Sequence, residues 1–132
     1  MSAPIDDGRT ARERGMAKMQ EVYGFSYDPA DVEGAYIDFT VDHLFGTVWT
    51  REGLDVRERR MITIGALAAM GLGNLLEIQF TAALRNGEFT EDQIREIVIH
   101  LTHYIGWPRS TGMNAAAEKV DRKSTRLNSS HT

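Results

Sequence analysis

Helix punctuation constrains this chain more than any other feature. Thr90-x-x-Gln93 has the spacing of a capping box, in which the cap hydroxyl and the third helical side chain satisfy each other's backbone amides. Asp55-x-x-Glu58 repeats that spacing with aspartate at the cap. Gly24, Gly87 and Gly106-Trp107-Pro108 stand where periodic apolar stretches end, as helix stops do. No run alternates apolar and polar residues as a half-buried strand would. The pattern predicts an all-α fold of about six helices. These run from Thr10 to Tyr23, from an Asp28 cap with Pro29 to about Gly46, and from Val56 to about Met70. Three more follow, from Leu75 to Asn86, from Thr90 to about Ile105, and from about Arg109 to Val120, with Trp49 to Asp55 a loop. The Val56 helix is apolar on every side from Met61 onward and is expected to be the central buried one.

A chain of 132 residues fits one domain, assigned to residues 1–121. So short a chain buries a modest share of its surface, which favours self-association. The formal charge of −4 provides no basic field of the kind nucleic acid requires. The longest apolar stretch, Met61 to Leu76, is interrupted by Thr63, Asn74 and several small residues, so no membrane span is expected. The opening MSAPIDDGRT has no apolar signal core, and a cytoplasmic location is expected. Absence of cysteine excludes disulfides, thiolate metal ligands and cysteine nucleophiles. The last residues, RKSTRLNSSHT from Arg122 to Thr132, have one apolar residue and no periodicity. They read as a disordered, non-native tail, His131 included.

The Thr90 helix has two faces. Ile94, Ile97, Val98, Leu101 and Ile105 share a narrow arc; His100, His103 and Trp107 lie opposite with Glu96, and Tyr104 falls between. Glu96–His100, His100–Tyr104 and His103–Trp107 are i,i+4 pairs that can touch. Such a face is either solvated or a pocket or subunit contact. Gln79 lies within the apolar arc of Leu75, Leu76, Phe80 and Ala83, where its amide needs partners. It is a structural hydrogen bonder or a site residue. Arg57, Arg59 and Arg60 open a helix against its dipole, so at least one should find a carboxylate, whether a structural partner or a substrate. His43 reads as an ordinary half-buried histidine.

Five segments in order are similar to one known family. They are Trp49-Thr-Arg51-Glu-Gly53-Leu54-Asp55-x-Arg57-x-Arg59, Met61-Ile-Thr63-Ile-Gly-Ala-Leu67-Ala-Ala-Met-Gly71, Ala83-Leu84-Arg85-Asn86-Gly87, Ile94-Arg-Glu96-Ile-Val-Ile-His100 and Tyr104-Ile-Gly106-Trp-Pro108. Together they resemble the carboxymuconolactone decarboxylase family of the AhpD-like superfamily, over a core of about residues 45–115. The resemblance implies an AhpD-like helical bundle assembled with itself into a homotrimer or homohexamer, with sites at or near subunit contacts. In the family's peroxidase branch, Cys-x-x-Cys-x-x-x-His would fall on Leu72, Leu75 and Gln79, so thiol peroxidase activity is rejected. The decarboxylase branch commonly has histidine where this chain has Gln79, and a histidine matching His100.

The implied reaction is decarboxylation of a small carboxylated unsaturated lactone or related acid, yielding in the family's named case a β-ketoadipate enol-lactone, without a cofactor. Electrons left by CO2 must flow into a conjugated carbonyl, which calls for donors at the developing oxyanion and an acid that protonates carbon. His100 is assigned the acid/base role, His103 its partner, and Gln79 a hydrogen-bond donor. Arg59 and Arg51 are anion-clamp candidates, and Glu77 an orienting carboxylate. Tyr104 and Trp107 complete the substrate-binding set. Gln79 can donate but does not exchange a proton near neutral pH, which points to a substrate other than the family's named one. Alternatives are a related cofactor-independent isomerase, a non-catalytic oligomeric binding or accessory protein, and a metal-dependent enzyme using His100 and His103.

Overall fold

The computed structural model describes residues 7–27 and 33–130, and for residues 124–130 the backbone alone. The expected Asp28-Pro29 helix start and His131 lie outside the described residues. Among the described residues the protein is all-helical, in two compact units divided between Arg59 and Arg60.

The first unit is built on α1, Ala11–Tyr23, and on a helical stretch that begins as α2, Ala35–Asp38, and continues as a π-helix, Phe39–Val48. The single α-helix expected here is thus mostly of the wider π type. α1 starts at a full capping box: Thr10 Oγ1 accepts from the Glu13 amide at 3.1 Å, and the Thr10 amide donates to Glu13 Oε1 at 3.0 Å. It ends at Gly24, whose φ of 87° is left-handed. α1 and the π-helix approach closely at Gly15, where a Cβ would run into the Val41 carbonyl oxygen. Met19, Val22, Val41, Phe45 and Trp49 form the unit's core. Arg12 ties the two helices through Asp38, at 2.7 Å, and Asp42. His43 is exposed, not half-buried.

The second unit holds the larger core. It is made of the later turns of α3 (Val56–Ala69), together with α4 (Gly73–Arg85), α5 (Glu91–Ile105) and α6 (Trp107–Ser130). Both predicted caps form. Asp55 Oδ1 accepts from the Glu58 amide at 2.7 Å, and the Asp55 amide donates to Glu58 Oε1 at 3.0 Å. Thr90 and Gln93 exchange bonds of 3.1 and 2.9 Å. Ile64, Ala68, Leu76, Phe80, Ala83, Ile94, Val98 and Met113 pack into one apolar cluster.

Two expectations need correction here. α3 is not buried all round: it buries a stripe of Arg60, Ile64 and Ala68 at i,i+4 spacing, whereas Ile62 is 62% exposed and Met61 is exposed too. Apolar residues on a helix enter the core only where a neighbour covers them, and this chain covers one face of α3. α6 begins at Trp107, directly after Gly106, and its backbone stays helical to Ser130 rather than stopping at Val120. No glycine or proline interrupts it beyond Gly112. Lys119 and Lys123 also anchor this stretch to Glu77 of α4, at 3.3 and 3.1 Å.

Candidate active site

The helical period carries a charged residue into the core at Arg60. It shares the buried stripe of α3 with Ile64 and Ala68 and is itself 0% exposed. A buried guanidinium is tolerated only when its donors are matched, and here they are. Nε donates to Glu88 Oε1 at 2.8 Å and Nη2 to Glu88 Oε2 at 3.0 Å, a bidentate pair. Nη1 donates to Gln79 Oε1 at 2.8 Å. Asn86 Nδ2 adds a bond to Glu88 Oε2 at 3.1 Å. Burial pushes the Glu88 carboxyl up, but hydrogen bonds from Arg60 and Asn86, with the charges of Arg60 and Arg85, outweigh it and leave the pKa below the usual glutamate range.

Gln79 is 2% exposed and lies on the inner face of α4 beside Leu76, Phe80 and Ala83. Leu75, expected in the same arc, points outward instead. Because a guanidinium only donates, Gln79 must turn its carbonyl oxygen toward Arg60. Among the described residues Nε2 has no hydrogen-bond acceptor.

The opposite face of α5 is open. Ile94 and Val98 are buried, with Ile97, Leu101 and Ile105 packed partly against them, as the period predicts. Thr102, also buried, satisfies its hydroxyl by donating to the Val98 carbonyl at 2.7 Å. His100, His103 and Tyr104 are exposed. His100 lies against Tyr104 with ring centroids 5.1 Å apart. His103 meets Trp107 edge-on at 5.4 Å. His103 Nδ1 donates to the Ile99 carbonyl oxygen at 2.7 Å, which leaves Nε2 as the ring nitrogen facing away from the helix backbone. His103, Trp107, Ser110, Thr111 and Asn114 line an open groove of about 350 Å³ between α5 and α6. Among the described residues no hydrogen bond or ring contact joins Gln79 to either histidine.

The remaining candidates are engaged locally. Arg59 Nε donates to the Leu54 carbonyl and Nη2 to the Arg51 carbonyl, each at 3.2 Å, so it supports the turn before α3. Arg51 lies half-buried beside an open cavity of the first unit with Arg9, Arg14 and Lys18. Glu77 orients neither an arginine nor a histidine: its carboxylate takes Lys123 and Lys119 of α6. The Lys123 hydrogen bond foremost, against partial desolvation, lowers its pKa. Sequence reasoning missed Glu88 and passed over Arg60 in favour of its neighbour. The i,i+4 spacing of Arg60, Ile64 and Ala68 is the signal that singles out Arg60; nothing in a turn residue such as Glu88 marks its burial.

The matched sequence segments agree with this helical arrangement. A profile of the carboxymuconolactone decarboxylase family matches residues 35–119, more than half of the chain, and the protein belongs to that family. It is 32% identical over 90 residues to the 4-carboxymuconolactone decarboxylase of Acinetobacter baylyi, covering 68% of this chain and 66% of that protein. It is 39% identical over 64 residues to the nitrosuccinic acid decarboxylase of Metarhizium robertsii, covering 48% of this chain and 44% of that one. The chain thus spans just under two thirds of one curated relative's length and less than half of the other's.

Proposed function

We propose that the protein is a cofactor-independent decarboxylase of a small acidic compound in which carbon bonded to the leaving carboxylate is conjugated to an oxygen-bearing electron sink. Two relatives of different names, one acting on a carboxylated lactone and one on a nitro dicarboxylic acid, carry the reading. In both compounds, breaking the C–CO2 bond pushes an electron pair toward oxygen, onto a conjugated carbonyl or a nitro group. Protonation at carbon completes the reaction. A buried amide donor free on one side, Gln79 Nε2, suits the charge that gathers on that oxygen. His100 returns the proton, His103 relays one through its Nε2, Tyr104 and Trp107 flank the substrate, and Arg51 and Arg59 attract its carboxylate.

His100 is exposed in a single chain, and a useful general acid works best shielded from water. Self-association into a trimer or hexamer would shield it. Ile99, Tyr104 at 77% exposure and Trp107 at 64%, with Met61 and Ile62 of α3, offer apolar surface for that contact. Light scattering should give three or six times the chain mass.

The test of function is direct. Purified protein is given 4-carboxymuconolactone or nitrosuccinic acid with no added cofactor, and CO2 release is followed. Turnover of one of them, lost in His100→Ala, is the expected result; release from neither overturns the proposal. A non-catalytic binding or accessory role is the second reading. It is favoured by the separation of Gln79, inside the core, from the histidines outside it. Binding without turnover would establish it.

A further inference from the structure

The side-chain amide of Gln79 can be set in two ways that present opposite chemistry. With NH2 turned away from Arg60 it donates to an oxygen; with the carbonyl turned away it repels one that is gaining negative charge. Arg60 decides between them. Its Nη1 stands 2.8 Å from Gln79 Oε1, and a guanidinium has no acceptor to offer an NH2 group. Arg60 is itself immobilised, because Nε and Nη2 are taken by both oxygens of Glu88 and the side chain is 0% exposed. The Asn86 bond to Glu88 Oε2 extends the chain of constraint to the end of α4.

We propose that Arg60 and Glu88 are positioning residues, whose ion pair locks Gln79 with its Nε2 hydrogens presented to a ligand oxygen of carbonyl or nitro type. The proposal rests on the decarboxylase reading for the identity of that oxygen, but not for the orientation of the amide. Arg60 acts through Gln79 and touches no substrate, since three of its donors are committed within the core. An amide held this way is a hydrogen-bond donor that no proton switches off near neutral pH.

The test has one arm free of catalysis. The chain contains three glutamines, Gln20, Gln79 and Gln93, so glutamine-selective 15N labelling of the full chain gives few side-chain NH2 signals. The Gln79 pair is identified by its loss in Gln79→Met. In the intact protein it should be a single sharp pair. In Arg60→Lys it should shift or split, because an ammonium lacks the planar fork that serves Glu88 and Gln79 together. Glu88→Gln, of the same shape, should move it in the same sense, and stands in if Arg60→Lys does not fold. A Gln79 pair unmoved in the folded variants overturns the proposal.

The second arm uses turnover of 4-carboxymuconolactone or nitrosuccinic acid. Arg60→Lys should lower kcat with KM little changed, and Arg60→Lys/Gln79→Met should lose no more than Gln79→Met, about 10²–10³-fold. Additive losses would show that Arg60 does not act through Gln79. Movement of the NH2 signal as expected, with no turnover by the unaltered protein, would sink the decarboxylase reading and leave the locked amide standing.

Discussion

The Arg60–Gln79–Glu88 cluster and the His100–Tyr104 face belong to the same compact unit, yet they handle polar groups in opposite ways. Inside, a guanidinium and an amide removed from water are matched donor to acceptor, and each group fixes the next. Outside, the His100–Tyr104 rings of α5 meet at 5.1 Å and His103 meets Trp107 of α6 at 5.4 Å, on a solvent-exposed face. Polarity therefore does not separate site from scaffold here. Burial does: a polar group in the core is costly to leave unmatched, whereas one on the surface is free to be used. Gln79 belongs to the inner regime, with its oxygen matched to Arg60.

The sharpest contrast should come from removing one member of each region. Arg60→Ala leaves Glu88 charged and without its main partner, and should lower unfolding stability by about 3–5 kcal/mol in a denaturant titration. His100→Ala should change stability by no more than about 0.5 kcal/mol, as exposed positions do. Its expected effect lies in turnover, a loss of about 10²–10⁴-fold. A strongly destabilised His100→Ala would erase the distinction between the two regions.

Acid should separate them next. The Glu88 pKa lies below the usual glutamate range in the folded protein, so its contribution is complete above about pH 4.3 and declines as pH falls further toward the depressed value. Stability measured between pH 6 and 3 should drop at the acid end. Glu88→Gln should start lower and show a shallower drop; an equal slope in the two proteins would remove Glu88 as the cause.

The smallest effect concerns an exposed ion pair. Lys123→Ala breaks a 3.1 Å contact to Glu77 at the surface, and should cost less than about 1 kcal/mol in the same titration. A loss as large as that of Arg60→Ala would mean that the later turns of α6 are as integral to the unit as its core.

Much of the fold was legible because its signals are local. The Asp55 and Thr90 caps, the stops at Gly24 and Gly87 and the inner face of α5 each depend on residues within a turn or two of one another. The π-helical form of residues 39–48 was not legible, since its hydrogen-bond shift leaves no spacing signature in so short a stretch. Nor was the extension of α6 past Val120, where a polar tail without periodicity read as disorder. The candidate site was legible in part. His100, His103 and Trp107 were placed on the outward face with Tyr104 between the faces, and the ring pairs His100–Tyr104 and His103–Trp107 were found.

By itself, then, the sequence determined the helix starts at Asp55 and Thr90 and the stops at Gly24 and Gly87, which face of α5 turns inward, that no thiol chemistry is available, and that Gln79 stands among apolar neighbours. Tertiary structure decided which of three nearby arginines enters the core, that Glu88 meets it from 28 positions away, and that the Gln79 carbonyl oxygen is the end of the amide that faces Arg60. The physical reason is the range of the interactions. Caps and periodicity act within one helix, whereas the partner of a buried charge is chosen by what the packing of other helices brings within about 3 Å of it.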